Sequence, residues 1–262
     1  MLTYPATIPL STRSLNHLAE LLRTHRARRG TRYRRLDHGR QALLVLAHLR
    51  NGDTPARPPA RLAGGFGVGA TTAWRGIREA VDLLAAQAPT LAEAMDRIGR
   101  LAYAILDGTL IRTDRLSGEQ DRRHFAGKHR CHGVNTQVIA DPAGRLARVS
   151  PALPGSTHDL TAARYHGIID ALTEAQVMTF ADKGYRGARG TIVVPFYGRN
   201  LPEPMHEVNR SHAKIRAIGE RAIATVKNWK LLAKLHCCPR RATPLLAAIL
   251  VLQLVEEQRY SG

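Results

Sequence analysis

The hydrophobic pattern of this chain changes period near residue 101. Before that point apolar residues recur at helical spacing; after it they fall into short runs closed by acids, glycines and prolines. A 3.6-residue repeat does not suit a strand, and a short strand run does not make an amphipathic helix. The chain therefore reads as a helical domain over 1–100 followed by an α/β domain over 101–262. In the first part, STRSLNHLAELLRTHRARR (11–29) opens at a Ser or Thr cap and carries Leu15, Leu18, Leu21 and Leu22 on one face. DHGRQALLVLAHLRNG (37–52) repeats the pattern and closes on Asn51-Gly52, a C-cap signal. After the Pro-rich DTPARPPAR (53–61) comes LAGGFGVGATTAWRGIREAVDLLAAQ (62–87): a short apolar piece, a Gly-rich turn, and a longer helix from about Thr71 with Trp74, Ile77, Val81 and Leu84 on one side. Two helices joined by a short Gly-containing turn form the helix-turn-helix pattern. Its second helix, with Thr71, Thr72, Arg75 and Arg78 near its start, is the one expected to enter a major groove.

The second part reads differently. LAYAILDGT (101–109) suits a buried strand ending in an Asp-Gly turn, and HGVNTQVIADPAGRLARVSPAL (132–153) a strand, turn and strand. A helix is expected over THDLTAARYHGIIDAL (157–172), then strands at QVMTFAD (176–182) and TIVVPF (191–196). A long helix over 209–235 and an apolar core helix over 244–255 close the chain. The apolar stretch PLLAAILVLQLV is too short to span a bilayer, so no membrane partner is expected. The opening MLTYPATIPLSTRSL lacks the charged start and cleavage site of a secretory leader. Cys131, Cys237 and Cys238 cannot form a paired framework, which points to a reducing cytoplasm. Their histidine neighbours in HRCH and HCC do not have the usual zinc-ligand spacing.

Charge narrows the function. Lys and Arg number 39 against 21 Asp and Glu, for a formal net charge of +18. Residues 1–100 hold 16 Arg, no Lys and 7 acids; the excess is spread over both parts rather than carried by a tail. So large an excess in a folded chain favours a polyanionic partner, and nucleic acid above all.

Within this basic chain three acids stand out. Asp107 lies at the end of the first strand, Asp182 at the end of a later one in ADKGYRG, and Glu220 inside the long helix. Singly, each has an ordinary explanation: the aspartates cap turns, and Glu220 pairs with Arg216 or Lys227 across helical turns. If the two strands are adjacent and parallel, their C-terminal ends share one sheet edge, where open α/β sheets place their sites. Carboxylates converging there would repel one another unless a divalent cation joined them. Asp159, in STHD, is the rival acid; beside a helix start it is expected to serve the helix N-terminus.

The segments LDGTLIRTDR, FAGKHRCHGVNTQVIADPAGRL, SPALPGSTHDLTAAR, ADKGYRGARG, VPFYGR and NRSHAKIRAIGERAIATVKNWK, in this order, resemble bacterial insertion-sequence transposases of the DDE superfamily, in the insertion-sequence-five group related to the PIF/Harbinger elements. The resemblance covers about 105–235. It implies an RNase H-like catalytic domain, a mixed sheet flanked by helices, preceded by an all-α helix-turn-helix domain. Motif by motif, the three acids fall on Asp107 (DGT), Asp182 (DKGY) and Glu220 (GERAIATVK), and would hold two Mg2+, or Mn2+, for DNA cleavage and strand transfer. Lys128, His129, Arg186 and Lys227 would meet DNA phosphates. The resemblance further implies element ends and target DNA as partners, a homo-oligomer on DNA, and a nucleoid-associated bacterial protein. A nuclease of the same fold, or a non-catalytic DNA-binding regulator, are the alternatives.

Overall fold

The computed structural model describes residues 8, 10–31, 33–52 and 60–257. Along the chain run helices α1 (Thr12–Arg28), α2 (His38–Asn51), α3 (Ala60–Gly65), α4 (Ala70–Ala85) and α5 (Leu91–Ile98), then strand β1 (Ala104–Arg112) and helix α6 (Glu119–His124). Strands β2 (Phe125–Ala126), β3 (Cys131–Ala140), β4 (Leu146–Val149) and β5 (Leu153–Pro154) precede α7 (Asp159–Tyr165) and α8 (Ile168–Glu174). Strands β6 (Thr179–Ala181) and β7 (Ile192–Val193) lead to α9 (Glu203–Lys227) and α10 (Ala242–Glu257). Two compact units result, and a cut at residue 100 does not separate them: residues 1–88 and 227–262 form one, residues 89–226 the other.

The helical unit is completed by the end of the chain. Ten of the sixteen residues of α10 are buried, which suits a helix apolar almost all round; it packs on α4 and α1. Ser11 Oγ and Ser14 Oγ both donate to Glu256 Oε1, at 2.7 and 2.5 Å, fastening the start of α1 to the end of α10. Asp37 caps α2, its Oδ1 accepting the Arg40 N–H at 2.8 Å. Residues 53–59, most of the Pro-rich connection, lie outside the described residues.

Helices α3 and α4 are joined by Phe66–Gly69, with Gly67 at φ +67°. Thr71, Thr72, Arg75 and Arg78 are all exposed along α4. The buried stripe of α4 is Ala73, Ile77, Ala80, Val81 and Leu84. Trp74, expected in that stripe, is instead 40 % exposed, because it lies about 100° round the helix from Ala73. Its ring meets His48 edge-on.

In the second unit the sheet order is β2-β3-β1-β6-β7, with β4 and β5 also paired to β3. β1 runs antiparallel to β3 from Ile105↔Ala140 to Arg112↔Gly133, and parallel to β6 over Ala104↔Thr179 to Leu106↔Ala181. β1 does not turn at Asp107-Gly108, as the Asp-Gly pair suggests; pairing with β3 carries it on to Arg112. The expected helix over 157–172 is two, broken at Gly167 with φ +66°. The long helix starts at Glu203, earlier than expected, and ends at Lys227 rather than 235. Beyond it Trp229 is fully buried and Lys230–Leu232 forms a 3-10 turn. Among the described residues no helix is long and apolar enough to cross a membrane.

Period-two alternation gives each sheet face its own helices. Leu106 and Ile139 join a core with residues of α5, α7 and α8, including Met95, Ala163, Ile168 and Leu172. Ile105 points the other way, against α9, where a Cβ on Gly219 would stand 2.5 Å from Ile105 Cγ2. Glycine there lets α9 cross β1 closely. His212 Nε2, 3.2 Å from the Val193 carbonyl, anchors the same helix over β7.

Candidate active site

The register of β1 and β6 sets the centre of the site. Leu106↔Ala181 is the last parallel pair, so Asp107 and Asp182 are the next residues on neighbouring strands. Strands in a sheet lie about 4.8 Å apart, which brings these two acids to one edge. Asp182 also acts as a cap, its Oδ1 accepting the Gly184 N–H at 2.7 Å. Asp107 is largely buried, with its side chain 19 % exposed and Arg216 Nη2 3.6 Å from its Oδ2. Burial pushes its pKa up to about 6; Arg216 opposes the shift, while Asp182 and Asp159 add to it.

Asp159 belongs to this group. It lies in the first turn of α7, as expected, where an acid favourably meets the helix N-terminus, but its side chain does more than that. Asp159 Oδ1 accepts from Asn135 Nδ2 at 2.7 Å, and its Oδ2 lies 3.9 Å from Lys128 Nζ. A Cβ on Gly108 would collide with this carboxylate, and one on Gly184 would lie 3.6 Å from Oδ2. The missing side chain of Gly108 is thus a notch in β1 through which an acid from the α7 side reaches the edge shared by Asp107 and Asp182.

Glu220 is placed differently from the aspartates. It is exposed, one helical turn beyond Arg216 on α9. Arg216, passed over in the sequence except as a pairing partner for Glu220, makes the contact with Asp107. Among the described residues no three His, Cys, Asp or Glu side chains stand close enough to enclose a metal ion, and all three cysteines are free. The donor set nevertheless fits a hard divalent cation. It is all oxygen, and of the three carboxylates Asp107 has Arg216 beside it and Asp159 the exposed Lys128.

A cleft of about 400 Å³ opens beside the acids, lined by Asp159, Asp182, Lys128, His129, Lys183 and the partly exposed Phe125. Lys128 and His129 thus line the same cleft as Asp159 and Asp182. Arg186 is exposed, with its guanidinium 4.4 Å from the centre of the Tyr197 ring, and Lys227 is exposed at the last turn of α9. Lys183, Asn135 and Gln137 escaped the sequence reading. The signal for the last two was present: polar residues interrupting the apolar run VNTQVI.

A family model described as DDE superfamily endonuclease matches residues 106–253, and one described as helix-turn-helix of DDE superfamily endonuclease matches residues 34–90. The chain is 32% identical over 198 residues to a Streptomyces albus G protein named "Putative transposase for insertion sequence element IS112", covering 73% of this chain and 70% of that protein. No solved structure matches.

Proposed function

The chain belongs to the DDE superfamily endonucleases, and from that premise we propose that it is a transposase that binds the ends of an insertion sequence and catalyses metal-dependent cleavage and strand transfer. The observation that carries the proposal is the Leu106↔Ala181 register, which sets Asp107 and Asp182 side by side at one sheet edge in a chain of formal charge +18.

Endonucleases of this superfamily use divalent metal ions. In this reading the ions are two Mg2+, which Asp107, Asp182 and Glu220 would hold. Bound there, they would activate the attacking water or 3′-hydroxyl and stabilise the leaving oxygen. The chain's own residues supply the rest. Burial of Asp107 strengthens its pull on any cation that replaces lost water. Arg216 balances part of the negative charge before DNA arrives. Lys128, His129 and Lys183 line the cleft at the height of the acids, where they would receive the phosphates flanking the scissile bond, with Arg186 and Lys227 on outlying phosphates.

The α3–α4 pair is the reading head in this proposal, with Thr71, Thr72, Arg75 and Arg78 presented to a major groove. The remaining features of the reading are element ends and target DNA as partners, a homo-oligomer on DNA, and work at the bacterial nucleoid in the cytoplasm. A Mg2+-dependent assay on linear DNA carrying candidate terminal repeats tests it. Cleavage with joining supports transposition, cleavage alone indicates a nuclease, and binding alone a regulator.

A further inference from the structure

Strand β3 carries three consecutive buried polar residues, Asn135, Thr136 and Gln137. Thr136 faces one way and is satisfied locally, its Oγ1 donating to the Ser150 carbonyl at 2.8 Å. Asn135 and Gln137, two residues apart, face the other way and form part of a directed chain. The Tyr185 hydroxyl donates to Gln137 Oε1. Gln137 Nε2 donates to Asn135 Oδ1 at 2.8 Å, and Asn135 Nδ2 donates to Asp159 Oδ1 at 2.7 Å and to the Thr157 carbonyl at 3.0 Å. The direction follows from chemistry. An ionised carboxylate only accepts, so Asn135 must turn its NH2 toward Asp159. Its oxygen then takes the Gln137 amide, and the Gln137 oxygen takes the tyrosine proton.

Gln137 and Tyr185 are wholly buried, and polar groups so placed are costly unless every bond is made. Apolar residues of similar volume would pack this core without that demand. The chain ends on one oxygen of one acid, leaving Asp159 Oδ2 toward Gly184 and Lys128, on the side of Asp182. We propose that Asp159 is a fourth carboxylate ligand of the site, and that Asn135, Gln137 and Tyr185 are positioning residues that hold it there by tying Oδ1. The inference rests on reading Asp107 and Asp182 as ligands.

The test is calorimetric titration of the full chain with Mn2+ in the absence of DNA, with melting temperatures recorded alongside. D107N should abolish binding. D159N and N135A should each weaken Mn2+ affinity about 10- to 100-fold, the usual effect of losing a ligand's support, and Y185F should weaken it in the same direction. T136V, which deletes a buried bond of the same strand on its other face, should lower the melting temperature and leave Mn2+ affinity unchanged. If D107N loses Mn2+ while D159N and N135A bind like the parent, the proposal is overturned and the metal site stands. If D107N itself binds like the parent, the metal-site reading fails and the proposal with it. Should N135A or Y185F melt below the assay temperature, D159N alone decides.

Discussion

Asp107 should be a source of instability in the metal-free protein, and the size of the effect follows from its surroundings. Its folded pKa stands near 6 against an ordinary 3.8, mainly because burial disfavours the charged form. The folded state therefore holds its proton more tightly than the unfolded chain, so stability is greatest below the unfolded value and falls as pH rises through the folded one. Linkage puts the loss at under about 1 kcal/mol at pH 4 and about 3 kcal/mol at pH 8. Asp107→Asn removes the titration while keeping the shape. In chelator-treated protein the variant should be more stable than the parent by about 3 kcal/mol at pH 8, narrowing to about half that at pH 5. That corresponds to a rise of roughly 6 to 12 °C in melting temperature at pH 8 for a protein of this size. Urea unfolding at pH 5, 6.5 and 8 with excess chelator measures it. A variant no more stable than the parent at pH 8, or a gap that does not shrink on acidification, would refute the reasoning. Saturating Mn2+ should narrow the gap at pH 8 by stabilising the parent alone.

Further tests address the other residues. Asp182→Asn and Glu220→Gln should each abolish metal-dependent cleavage in the strand-nicking assay, and Glu220→Gln, at an exposed position, should melt within about 1 °C of the parent. Gly108→Ala drives a methyl group into the Asp159 carboxylate and should cost about 1–3 kcal/mol in urea unfolding along with most of the cleavage rate. If Arg75 reads a base, Arg75→Ala should lose roughly 1–3 kcal/mol on the specific end and much less on random DNA. If it meets only phosphate, both affinities should fall together and the salt slope should shrink by about one in a filter-binding titration.

What could be read from the sequence was local. The period change at residue 101, the amphipathic helices and the acid just past β6 follow from side-chain spacing, and the adjacency of Asp107 and Asp182 follows once the two strands are taken as parallel neighbours. Long-range pairing was not legible. Asp-Gly at 107–108 reads as a turn, yet β3 holds those residues in an eight-pair ladder. Asp159 reads as a helix-start acid, which it is, but its bond to Asn135, 24 residues away, is not legible in the sequence. Nothing in the periodicity of α10 says that it packs on α4 rather than on the sheet of the second unit.

That last arrangement bears on how the protein is made. Residues 89–226 lie between the two pieces of the helical unit. Synthesis at 5–20 residues per second puts about 8 to 31 s between the end of α4 and the start of its partner α10. During that interval the apolar stripe of α4 has only α1, α2 and α3 against it, and the cover that α10 gives it in the full chain comes last.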